Sequence, residues 1–223
     1  NDYNEAEKLA KKISKNFPNH SLALKMLASI YGLTSRLSES LILYKRLIEL
    51  FPNDHEVHFN MANALRRLGK LKEAEESYRI SIKLNSKFVL AYNNLSITLR
   101  ELGNLNDAEE NCRKAIKLNP NHAFAYNNLA IILLKQGRLE ESENCSKDAI
   151  KLNPNLAESY NNLGNAQKNG GKLEEAISSF KQAIKIEPGF FSALHNIGAT
   201  LQDQGKLSEA EPYYKKAIEL EPN

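Results

Sequence analysis

The stretch AESYNNLGNAQKNGGKLEEAISSFKQAIKIEPGF, residues 157–190, decides how the chain is read. Tyr160, Leu163, Gly164 and Gln167 recur at helical spacing before Gly171 intervenes. A second helical pattern follows on Leu173, Ala176, Phe180, Ala183 and Ile184, and Pro188 ends it. Glycine suits a helix C-terminus because it tolerates a left-handed backbone, and proline cannot continue a helix. The stretch therefore predicts two helices joined by a tight turn.

The same pattern recurs every 34 residues without insertion or deletion. Six units begin at Ser21, His55, Val89, Ala123, Ala157 and Phe191. Position seventeen is always leucine (Leu37, Leu71, Leu105, Leu139, Leu173, Leu207), and position twenty-eight is always isoleucine, from Ile48 to Ile218. Position eight is small (Ala28, Ala62, Ser96, Ala130, Gly164, Gly198), as is position twenty (Ser40, Ala74, Ala108, Ser142, Ala176, Ala210). Fixed large and small positions at one period indicate stacked copies of one packing unit. Gly69, Gly103, Gly137 and Gly205 match Gly171, with Ser35 the exception; Pro52, Pro120, Pro154 and Pro222 match Pro188, with Ser86 the exception. Asn53, Asn121 and Asn155, each following a proline, are expected to cap the next helix.

This pattern resembles the tetratricopeptide repeat, whose aromatic, leucine, glycine, alanine and proline positions are matched by Tyr160, Leu163, Gly164, Gly171, Ala176, Phe180, Ala183 and Pro188. The resemblance implies an all-α solenoid, a right-handed superhelix of antiparallel helix pairs with the first helix of each pair on the concave face. It divides the chain into repeats 21–54, 55–88, 89–122, 123–156, 157–190 and 191–223, with residues 1–20 as the second helix of a preceding repeat. Leu24, His58 and Leu194 depart from the aromatic at position four, and Pro212 falls early in the last helix.

Asparagine occupies position six in five units: Asn60, Asn94, Asn128, Asn162 and Asn196. Asparagine is about 0.6 kcal/mol worse than alanine inside a helix, so its recurrence calls for a reason. Positions four, seven, eight and eleven face the core; position six points away with two, nine and thirteen. Asn93, Asn127 and Asn161 at position five and Asn63 and Asn165 at position nine extend the asparagine row. A carboxamide donates two hydrogens and accepts at its oxygen, so it can grip the N–H and C=O of an extended peptide whatever its side chains. The arrangement resembles the asparagine ladder in the repeat array of O-GlcNAc transferase, which implies an extended protein ligand. Two other readings remain: the amides bond to one another across units, or duplication carries them passively.

Arg66, Arg67, Arg100, Lys135 and Lys168 lie at positions twelve and thirteen, interrupted by Glu101 and Asp203. They either interact with helix C-terminal dipoles or favour acidic ligands, with Arg66, Arg100, Lys135 and Lys168 as the candidate contacts. Chaperone-tail recognition in this repeat family uses a lysine at position five with an asparagine at nine. Lys25 is followed by Ser29 at that spacing, which argues against that role.

The chain has 223 residues, 42% hydrophobic and 26% charged, with a formal charge of +3. That balance points to a folded protein without a nucleic-acid or membrane partner, and no apolar run approaches the ~20 residues of a membrane span. Two cysteines, Cys112 and Cys145, give no disulfide framework and fit a reducing, cytoplasmic setting. His20, His55, His58, His122 and His195 do not make a metal constellation, and Gly170–Gly171 is a turn rather than a phosphate loop. The expectation is therefore a protein-binding or peptide-binding module with no enzyme activity and no cofactor. The alternatives are the substrate-recruiting arm of a transferase, or a scaffold that uses its ends or convex face. The chain starts without methionine, which suggests a segment of something longer. An uncapped last repeat would present Leu207, Ala210, Tyr214 and Ile218 for end-to-end self-association.

Overall fold

The computed structural model describes residues 2–220, so Pro222 lies outside the described residues. Among them there is no strand, and thirteen helices follow in order. They are α1 (Asp2–Asn16), α2 (Ser21–Leu33), α3 (Leu37–Leu50), α4 (His55–Arg67), α5 (Leu71–Leu84), α6 (Val89–Glu101) and α7 (Leu105–Leu118). Then come α8 (Ala123–Lys135), α9 (Leu139–Leu152), α10 (Ala157–Asn169), α11 (Leu173–Ile186), α12 (Phe191–Asp203) and α13 (Leu207–Leu220). α13 continues through Pro212. The chain forms two compact units, Asn1–Asn111 and Cys112–Asn223. In the first, α2 packs on α3 and α4 on α5, with α3 against α4 and α5 against α6. In the second, α8 packs on α9, α10 on α11 and α12 on α13, with α9 against α10 and α11 against α12. Each unit is a run of tetratricopeptide helix pairs.

The turn within each pair needs a left-handed residue. Gly69, Gly103, Gly137, Gly171 and Gly205 have φ between 73° and 84°, and Ser35 is forced to φ 61° at the same place. A side chain there costs about 1–2 kcal/mol. Position eight sets how closely the two helices of a pair approach. A Cβ on Gly164 would lie 2.5 Å from Phe180 Cε1, and one on Gly198 would lie 2.8 Å from the Tyr214 ring. Phe180 is fully buried among Ala157, Ala176, Ala183, Ala193, Ile197, Leu201 and Ala210. Where position twenty is serine, its hydroxyl donates back to the carbonyl at position eight: Ser40 to Ala28 at 2.6 Å and Ser142 to Ala130 at 2.8 Å.

The helix starts differ from the sequence expectation. α4 is capped by Asp54, whose Oδ1 accepts from the Glu56 and Val57 amides at 3.1 and 3.3 Å. α8 is capped by His122, whose Nδ1 accepts from the Ala125 amide at 3.1 Å, and Leu156 at the start of α10 makes no side-chain cap. The helix begins one residue later than the asparagine can serve, so Asn53, Asn121 and Asn155 stand outside the cap. The asparagine before the proline is the one used: Asn119 and Asn153 Oδ1 accept from the Asn121 and Asn155 amides at 3.0 and 3.2 Å. His58 fits the aromatic position four by burying its ring, with Nε2 2.9 Å from the Pro52 carbonyl oxygen. At the last pair the apolar end is smaller than expected. Ala210 is buried and Tyr214 half-buried, so Leu207 and Ile218 alone of the four lie well exposed.

Two substitutions test the turn and the close approach. Ser35→Gly should raise the melting temperature, because relieving about 1–2 kcal/mol of backbone strain outweighs the roughly 0.5–1 kcal/mol entropic cost of glycine. Gly164→Ala should lower it. Helix propensity gains about 1 kcal/mol, but overpacking a buried ring costs about 1–3 kcal/mol. The His122 cap adds a pH dependence. Burial pushes its imidazole below the ordinary pKa of 6.5, against an opposing pull from its own backbone. A lowered folded pKa gives stability that is present above the ordinary value and lost as pH falls through the folded one. Melting should therefore drop more between pH 7 and 5 in the parent than in His122→Asp, whose cap stays ionised to about pH 4.

Candidate functional site

Asn94, Asn162 and Asn196 at position six each bond to another amide. In the first unit, Asn94 Nδ2 donates to Asn63 Oδ1 at 2.9 Å, and Asn93 Nδ2 donates to Asn94 Oδ1 at 3.2 Å. Asn63 Oδ1 also accepts the buried Tyr78 hydroxyl. Burial pushes the Tyr78 phenol up to about 12, with Arg66 and Asn94 pulling against it. In the second unit, Asn162 Nδ2 donates to Asn127 Oδ1 at 2.8 Å, and the Ser159 hydroxyl donates to the same oxygen at 2.9 Å. Asn196 Nδ2 reaches both Asn161 Oδ1 and Asn165 Oδ1 at 3.0 Å.

One geometric rule covers the bonds donated from position six. The amide at position six of a repeat meets position five of the repeat before it, 35 residues back, or position nine, 31 residues back. The burial follows the same rule. Asn93, Asn127 and Asn161 at position five are 6–8% exposed; the next first helix packs over Asn127 and Asn161. They do not flank an open row. Asn162 is also buried, while Asn60, Asn94, Asn128, Asn196, Asn63 and Asn165 are half-buried. The sequence therefore located the amides but not their pairing, which needs the facing register of adjacent helices.

The cations show the same offset. Arg66 pairs with Glu101 at 3.2 Å and Lys168 with Asp203 at 2.9 Å. The acids that interrupt the cationic row are thus its internal partners, one repeat on. Arg100 is half-buried and Lys135 exposed. Lys25 is ion-paired to Asp54, and lies 3.6 Å from Glu56. Arg67 donates to the carbonyl oxygen of Gly32.

Three features had no signal in a reading of single repeats. Tyr44 is buried with its hydroxyl 3.4 Å from Ser29 Oγ. Ser159 supports Asn127. A cavity of about 220 Å³ opens beside Asn60 and Arg67 in the first unit. Among the described residues no three His, Cys, Asp or Glu side chains converge as metal ligands, and no helix is long and apolar enough to cross a membrane.

The chain belongs to the family of the Cilia and flagella-associated protein 70 C-terminal domain, whose model matches residues 4–223. No curated protein sequence matches it. Among solved structures it resembles the Cut9–Hcn1 assembly of the APC/C, with a TM-score of 0.86 and 17% identity over 99% of this chain. This chain spans 44% of that one. MamA is similar at 29% identity and TM-score 0.63, covering 73% of this chain and 95% of its own. YrrB, described as a TPR protein with an unusual peptide-binding site, aligns at 24% identity and TM-score 0.61, over 81% of this chain and 93% of its own.

Asn162→Ala should lower the melting temperature. The lost amide bond costs about 0.5–1.5 kcal/mol, and the better helix propensity of alanine returns only about 0.6 kcal/mol. Asn60→Ala, which breaks no hydrogen bond among the described residues, should not lower it.

Proposed function

We propose that this chain is a protein-interaction module that holds extended peptide segments against the asparagine-bearing faces of its first helices, with no chemistry of its own. The observation that carries this reading is the half-buried amide held at position six. Asn196 spends its nitrogen on the preceding repeat and keeps its oxygen. The bonds to the preceding repeat fix Asn94 and Asn196 in one orientation, which lowers the entropy lost when a ligand binds. First helices packed roughly 8–10 Å apart match an extended chain advancing about 3.3–3.6 Å per residue. One amide then meets the ligand about every third residue.

In this reading the asparagines divide their labour. Asn60, Asn94, Asn128 and Asn196, with Asn63 and Asn165 beside them, face the ligand. Asn127, Asn161 and Asn162 hold successive repeats in register, and Asn93 braces Asn94. The peptide-binding site in the description of YrrB supports the reading as an analogue of the same fold.

The test uses capped twelve-residue peptides of random sequence without acidic residues, followed by fluorescence anisotropy. Asn60→Ala and Asn128→Ala should each weaken binding by about 2- to 10-fold, the worth of one net hydrogen bond. Affinities equal to the parent's in both variants, or no binding by the parent, would remove the reading.

A further inference from the structure

We infer that the cavity between α2 and α4 is a subsite for the carboxylate side chain of a glutamate or aspartate, an inference that rests on the peptide-holding reading for the chain that presents it. The evidence is a joint that lacks what the α4–α6 and α10–α12 joints possess. Between α4 and α6, Asn63 accepts from Asn94 and Arg66 pairs with Glu101. Between α10 and α12, Asn165 accepts from Asn196 and Lys168 pairs with Asp203. Each joint thus closes with one amide bond and one ion pair.

Between α2 and α4 both are missing at those positions, and the ion pair of Lys25 with Asp54 and Glu56 lies at the other end of α4. Ser29 stands where Asn63 and Asn165 stand, and its shorter side chain turns to Tyr44 instead. Asn60 is left without a hydrogen-bond partner among the described residues. Gly32 stands where Arg66 and Lys168 stand, and a Cβ there would meet Ser40 Oγ no closer than 3.6 Å, so the space is open. Arg67 occupies the position of Glu101 and Asp203, and among the described residues it bonds to the Gly32 carbonyl oxygen and to no acid. The result is the cavity of about 220 Å³, with Ser29, Tyr44, Asn60, Asn63 and Arg67 as its polar lining and Leu33 and Leu37 as its apolar wall.

The chemistry of the missing piece is specific. The guanidinium fork offers a carboxylate paired, charge-assisted hydrogen bonds. The Asn60 amide adds a further donor. The leucines cover the methylene stem. A glutamine of the same shape supplies no charge to Arg67, and an aliphatic side chain would leave both donors unmatched. The ligand's acid would complete from outside the ion pair that the α4–α6 and α10–α12 joints complete from within.

Two probes test this. The first is N-acetyl-glutamate amide, titrated at constant ionic strength against N-acetyl-glutamine amide, with the Arg67 Nε–H and Asn60 carboxamide signals followed by NMR. The glutamate probe should shift both signals saturably and the glutamine probe should not. The second is the acid-free peptide pool compared with the same pool carrying one central glutamate. The glutamate pool should bind about tenfold tighter. Arg67→Gln, and Gly32→Glu, which offers Arg67 an internal acid, should each erase the difference between pools. Equal shifts from the two small probes overturn the inference, as does a glutamate advantage that survives Arg67→Gln. Saturable glutamate shifts with neither pool bound uphold the subsite and sink the peptide-holding reading, so the two failures are distinguishable.

Discussion

The close approach of the two helices in each pair is the constraint on which the rest of the molecule depends. It is set by the small residue at position eight and is tightest where Gly164 lies under the Phe180 ring. Dispersion forces fall steeply with separation, so a pair held apart by one methyl group would forfeit much of its core contact. The same approach brings position twenty within hydrogen-bond reach of position eight, where serine can replace alanine without an unsatisfied hydroxyl. A pair packed this closely presents a fixed surface to the next one.

From that fixed surface comes the regular offset of 31 or 35 residues between bonded partners in successive repeats. Amide meets amide and cation meets acid because the first helices of neighbouring repeats face each other in one register. Individually these bonds are modest, about 0.5–1.5 kcal/mol for an amide bond and 0–1 kcal/mol for an exposed ion pair. Their value lies in specifying the stacking. An unpaired buried amide at position five would cost more than the bond itself gains. Binding and stability therefore share residues: the amide that tightens a joint also has groups left to offer a ligand, and the joint with neither bond is the one that opens a cavity.

Much of this was legible beforehand, and the misses share a cause. The turn glycines, the small positions and the helix pairs were readable because each depends on residues close in the chain. The caps were misplaced by one residue at Asn53, Asn121 and Asn155, because Asp54 and His122 begin the helices. A cap depends on where the first helical φ/ψ falls, and a Pro-Asn dipeptide does not fix that alone. The open row of asparagines failed at Asn93, Asn127 and Asn161 because a helical wheel shows which way a side chain points but not what stands in front of it. Glu101 and Asp203 looked like interruptions of a cationic row and are its partners.

The sequence by itself determined the helical-hairpin repeat, its period, its turns and the residues at its core. Those features rest on local backbone preference and on a periodic contrast of large and small side chains, both of which a single chain displays in order. Only the tertiary structure decided which amides are spent and which remain, and that Arg67 has an open space before it instead of an acid. Those outcomes depend on pairs of side chains a whole repeat apart, and a pairing of that kind exists only once two helices have been set face to face in one register.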